Sequence, residues 1–170
     1  MNRRFPWLKF LTGIVLFTLW HQLYEFFPCR AVAIVAEGEP ECIFAHQKML
    51  FYPYILLSLV DYVRLRRRAT VPASFLYARL LILVSAPWLM TSIWYVPEAL
   101  GIRMGPTVEL VYSILISFVG VYLEIQMEEP LEATRYGTAI RILLWILIAA
   151  SLILYSGFAL HPPFHGLFVS

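Results

Sequence analysis

The chain has 170 residues, 61% of them hydrophobic and only 14% charged, with a mean hydropathy of +0.74 and a formal net charge of +2. This is far too apolar for an ordinary soluble domain, and the basic run RLRRR at 64–68 is too short and too close to apolar sequence for nucleic-acid binding. Lipid is the expected solvent for most of the chain.

A bilayer core of about 30 Å needs roughly 20 apolar residues per helix, or short alternating strands if the chain were a barrel. No such alternation is present. Five windows suit helices, at about 7–27, 47–64, 74–96, 106–126 and 138–158. Backbone groups in hydrocarbon find no outside partner, which predicts an all-α integral membrane bundle of five transmembrane helices forming one domain over 1–170. The N-terminal MNRRFPWLKF also resembles the basic start of a cleavable signal. No small-residue cleavage site follows TLWHQLYEFFPCR, so the first window reads as a retained helix.

Within that first window His21 and Glu25 stand one helical turn apart, and residues at i and i+4 share a helix face. Ionisable groups inside a span are costly and face the bundle interior or a water-filled cavity. The pair offers an imidazole nitrogen and a carboxylate oxygen to a divalent metal, or a base and its orienting partner. Hydrogen bonding to a neighbouring helix is the structural alternative.

The following loop carries Glu37, Glu39 and Glu41, and its end EGEPECIFAHQKMLFYP brings Glu41, His46 and Lys48 to the start of the second window. Pro40 favours an extended or turning backbone before that helix, and Pro53 is expected to interrupt or kink it. Cys29 and Cys42 flank the loop, where an oxidising exterior would allow a disulfide. At the far end of the second window, Asp61 meets RLRRR.

Arg79 opens the third window and is expected to snorkel or to pair with Asp61 or Glu124. Trp94 and Tyr95 close that window as interfacial aromatics. Gly105 and Pro106 start the fourth, where Glu109 complements the helix N-terminus. Its end holds Glu124 and EEPLE, read as charge partners for nearby arginines without a catalytic role. The fifth window leads into HPPFH, whose prolines prevent His161 and His165 from sharing a helical face.

Arg3, Arg4, Lys9, Arg64, Arg66, Arg67, Arg68, Arg79, Arg135 and Arg141 fall on one side of these windows, against Arg30, Lys48 and Arg103 on the other. The positive-inside rule makes the first side cytoplasmic, so the amino terminus is inside and, after five crossings, the carboxyl terminus outside. Anionic lipids are the expected partners of the inner face. All four histidines then lie toward the outer leaflet.

The segments HQLYEF, PECIFAHQKMLFYPYILLSLVDY and HPPFHGLF together resemble a family of small bacterial multi-span membrane proteins of unknown function. That family has an H-x-x-Y-E motif in the first helix, an N-E-S-x-W-E-H-x-K-like motif before the second, and a Pro-Pro motif near the C-terminus. His21, Tyr24 and Glu25 fit the first motif; Glu41, His46 and Lys48 the second; Pro162 and Pro163 the third. Pro40, Cys42, Phe44 and Ala45 depart from the second. The resemblance implies the bacterial cytoplasmic membrane and one site built from all three segments, with no known activity.

The expected site therefore comprises His21, Glu25, Glu41, His46, His161 and His165 as metal ligands, with Glu25 and Glu41 as candidate catalytic carboxylates. Mixed imidazole and carboxylate ligands suit zinc, iron or manganese, and hydrolysis of a lipid-like substrate is the matching chemistry. The alternative is a non-enzymatic membrane subunit or small transporter component in which these residues make structural hydrogen bonds.

Overall fold

The structure is a computed structural model that describes residues 6–36, 43–68 and 70–161. The described residues contain helices and no strand: α1 (Trp7–Phe26), α2 (Arg30–Val35), α3 (Ile43–Arg66), α4 (Ala73–Trp94), α5 (Val96–Ala99), α6 (Pro106–Glu132) and α7 (Thr138–Leu160). Four of them, α3, α4, α6 and α7, are long and apolar enough to cross a membrane. The chain thus has the build of a multi-pass integral membrane protein. The first window of the expected five forms α1, a 20-residue helix outside that group of four. Lys9, His21, Gln22 and Glu25 lower its hydropathy, yet Leu8, Leu11, Val15 and Leu19 leave it an exposed apolar face.

Residues with special backbone constraints mark the helix starts. Pro72 in extended conformation precedes α4, Gly105 and Pro106 begin α6, and Gly137 in extended conformation precedes α7. Gly101, at φ 73°, turns the chain between α5 and α6 where a side chain would be strained. Pro53 lies inside α3 and does not interrupt it, since the helix continues through it to Arg66. Similar internal prolines sit in α4 (Pro87) and α6 (Pro130).

Packing centres on α4, which lies against α3, α6 and α7, while α1 packs on α3 and α6. One core cluster joins Phe44, Phe51, Tyr54 and Leu57 of α3 to Leu83 and Ala86 of α4 and Leu144, Ile148 and Tyr155 of α7. A second gathers Phe17, Met49, Leu50, Met90, Ile116 and Val121 between α1, α3, α4 and α6. Close approach in the second cluster depends on glycine: a Cβ on Gly13 would lie 2.7 Å from Val121 Cγ1, and one on Gly120 3.0 Å from Leu50 Cδ1. The outward residues, such as Ile142, Trp145, Ile146 and Ile153 of α7, are large and apolar, as a hydrocarbon solvent requires.

The bundle has two polar ends. At one, Lys9 from α1 bonds Asp61 of α3 and, at 2.6 Å, Glu128 of α6. Glu128 also accepts from the Tyr54 hydroxyl at 3.0 Å and lies 3.3 Å from Arg79 of α4, whose guanidinium reaches Glu132 at 2.6 Å. The same guanidinium stacks on Phe75, its carbon 4.5 Å from the ring centre. Arg79 therefore pairs with Glu128 and Glu132 rather than with the expected Asp61 or Glu124. Asp61 is taken by Lys9, and Glu124 is buried one turn above Glu128.

Candidate functional site

The opposite end holds the histidines. His21 in the last turns of α1 and His46 in the first turn of α3 face each other edge to face, with ring centres 5.8 Å apart. Helix α3 begins at Ile43, four residues before the expected start, so His46 belongs to the helix rather than to the loop. Hydropathy places the boundary at the first sustained apolar residue, whereas the backbone coils as soon as its amides find partners. Both imidazoles are half-buried.

Side chains around this pair tie three helices together. Successive residues on α3 point around the helix in steps of about 100°, so His46, Gln47 and Lys48 reach different neighbours. Gln47 donates from Nε2 to Thr91 Oγ1 of α4 at 2.6 Å, and Thr91 in turn donates to the Pro87 carbonyl at 3.0 Å. Lys48, only 2% exposed, donates to the Ala33 carbonyl of α2 at 2.7 Å. Trp20, next to His21 on α1, donates from Nε1 to the Val35 carbonyl at 2.6 Å. The last carbonyls of a helix have no intrahelical partner, and a cation near them is favoured by the helix dipole. Lys48 and Trp20 thus fasten α2, an element absent from the sequence reading, onto α3 and α1.

Tyr112 of α6 donates to the Ile93 carbonyl at 2.6 Å and stacks against Trp94, so these aromatics join α6 to α4. Tyr95 beyond them has its phenol pushed up from its ordinary pKa by burial and by the nearby Glu98 carboxylate.

Of the expected site residues, His21 and His46 are brought together. Glu25 is exposed one turn beyond His21, and His161 is exposed at the end of α7. Glu41 and His165 lie outside the described residues, as do Glu37, Glu39, Cys42, Pro162 and Pro163. Cys29 is an exposed free thiol. Among the described residues, no group of three or more His, Cys, Asp and Glu side chains is placed to hold a metal ion.

Sequence reasoning took Lys48 as part of a motif but missed its burial, and it did not single out Gln47, Thr91 or Trp20. The polar run HQK at the head of an apolar segment was the available signal, because each polar residue in such a place needs a partner on a different neighbour. No protein-family model, curated protein or solved structure matches this chain.

Proposed function

We propose that the chain is a five-span protein of the bacterial cytoplasmic membrane, amino terminus inside and carboxyl terminus outside, with a divalent-metal site at its outer end. His21 and His46 are the primary ligands. Glu25, Glu41, His161 and His165 are the candidates to complete the shell, and zinc, iron or manganese is the candidate ion. A metal with open positions polarises an ester and lowers the pKa of bound water, which makes hydrolysis of a lipid-like substrate the reaction class, with Glu25 or Glu41 as base.

The observation that carries this reading is the meeting of two imidazoles from helices distant in sequence. Metal–nitrogen bonds of about 2.0–2.1 Å place the centres of two rings that share an ion roughly 5–6 Å apart, and the observed separation is 5.8 Å. The arginine distribution supports the orientation, and the exposed apolar face of α1 supports a fifth span.

Elemental analysis of the detergent-purified full chain tests the site. Stoichiometric metal is expected in the wild type and loss of most of it in His21→Ala combined with His46→Ala. Metal content that survives both substitutions refutes the assignment.

The absence of a third ligand beside the pair among the described residues favours a second reading, in which the two rings are a structural contact of a non-enzymatic membrane subunit. Under it, the same double substitution lowers the unfolding temperature of a protein that holds no metal to begin with.

A further inference from the structure

At the end of the bundle where Lys9 meets Glu128, an open cavity of about 430 Å³ lies between the start of α4, the end of α6 and the start of α7, with Ser74, Tyr77, Glu132, Arg135, Tyr136 and Arg141 in its wall. That volume is in the range of small-molecule sites, about 300–1,000 Å³. The basic run at 64–68 takes no part in the wall.

One of the two arginines is held in place by the wall itself. The Arg141 guanidinium lies over the Tyr77 ring, its carbon 5.0 Å from the ring centre, and its Nε donates to the Tyr136 carbonyl at 2.9 Å. Tyr77 packs in turn on the Tyr136 ring, with centres 5.7 Å apart, and the buried Tyr136 donates its hydroxyl to the Leu131 carbonyl at 2.9 Å. Arg141 is thus oriented before any ligand arrives, and its Nη groups have no hydrogen-bond partner among the described residues. Arg135 makes no hydrogen bond or ion pair there, and the Ser74 hydroxyl is equally uncommitted.

Glu132, the carboxylate in the wall, is already engaged by Arg79 of α4 at 2.6 Å. The cavity therefore presents two positive side chains and no uncommitted negative one. A guanidinium fork matches the oxygens of a phosphate, which accepts several charge-assisted hydrogen bonds at once. Outward apolar side chains begin within one turn of the cavity, at Leu76 on α4 and Ile140 on α7, so a phosphate carried on a lipid would have hydrocarbon beside it.

We propose that this cavity binds a phosphate group, held by Arg135 and Arg141, with Ser74 as a further donor and Tyr77 as the platform for Arg141. The site is at the opposite end from the histidine pair and does not depend on a metal there. Phosphorus NMR of the full chain in a sugar-headed detergent tests it with inorganic phosphate and dioctanoylphosphatidic acid, and with dioctanoylphosphatidylcholine as the zwitterionic control. Phosphatidic acid that binds at least tenfold tighter than inorganic phosphate identifies a lipid as the source; a smaller difference identifies a soluble phosphate compound. In either case Arg135→Gln combined with Arg141→Gln is expected to weaken binding at least about tenfold. Arg135→Gln alone, which removes no bond within the described residues, accounts for about threefold. Tyr77→Leu keeps every charge and also costs about threefold, through loss of the platform. Arg64→Gln combined with Arg68→Gln removes the same charge from the same end but outside this cavity, and changes binding by less than about threefold. Equal losses in the two double variants mean diffuse attraction to a basic surface and overturn the proposal, as do failure of both charged probes to bind and phosphatidylcholine binding as tight as that of phosphatidic acid.

Discussion

Glu128 sits where four helices meet, accepting from Lys9 and Tyr54 and lying within 3.3 Å of Arg79. Its side chain is 11% exposed, so the charges around it have little water to replace a lost partner. Removing one member of a buried pair leaves the other uncompensated, at about 3–5 kcal/mol. Glu128→Leu is therefore expected to lower stability by that order, whereas Glu132→Gln, at 32% exposure, should fall within about 1 kcal/mol. Thermal unfolding in detergent measures both, and equal effects would contradict the assigned hierarchy. Sequence alone placed Asp61, Arg79, Glu124 and the EEPLE carboxylates at one end, because depth follows from position along an apolar window. It could not choose partners. Pairing depends on how each helix is rotated about its axis, and Lys9, read as a flanking inner charge, turned out to be the group that links α1 to both Asp61 and Glu128. At the other end, HxxxE spacing singled out His21 for its depth, and His46 for its place at a helix start. Glu25 was chosen by the same spacing, but α1 has reached the exposed rim by that turn.

At the scale of elements, the five apolar windows match α1, α3, α4, α6 and α7 closely, and the differences share one cause. Helix α3 starts earlier than expected and α6 runs six residues beyond 126 because paired polar side chains extend a helix past the edge of its apolar stretch. Short α2 and α5 were not legible, since neither has the length or periodicity that marks a helix in sequence. Contact between α1 and α6 was equally hidden. It depends on Gly13, where an added methyl would meet Val121 Cγ1 at 2.7 Å. Overpacking of this kind costs about 1–3 kcal/mol. Gly13→Ala is thus expected to destabilise by that amount, and pairing it with Val121→Ala should cost less than the two single changes summed. Strict additivity in unfolding measurements would show that α1 does not press on α6 there. Gly120 should tolerate Ala better, because the atoms it would meet are the movable ends of Leu50 at 3.0 and 3.2 Å.

For the whole molecule, orientation is the property on which the proposed site depends, and Cys29 provides a reporter. It is exposed on the histidine side of the bundle, just beyond α1. With Cys42 replaced by Ser, a membrane-impermeant maleimide added to intact cells is expected to label Cys29 fully; protection until the membrane is broken would reverse the proposed topology. The class of the protein was open to sequence because burial in lipid imposes one rule on every span. The site was less so, because its geometry comes from lateral contacts that no one-dimensional pattern encodes. The two ends of the bundle are also held by different kinds of bond. One is locked by interlaced charges from four helices. The other is closed by two donors resting on main-chain oxygens of α2, the Lys48 ammonium and the neutral Trp20 indole. Opening that clasp strands one buried ammonium, whereas opening the charged end parts several ions at once, so the molecule has a stiff foot and a more yielding mouth, and the histidines are at the mouth.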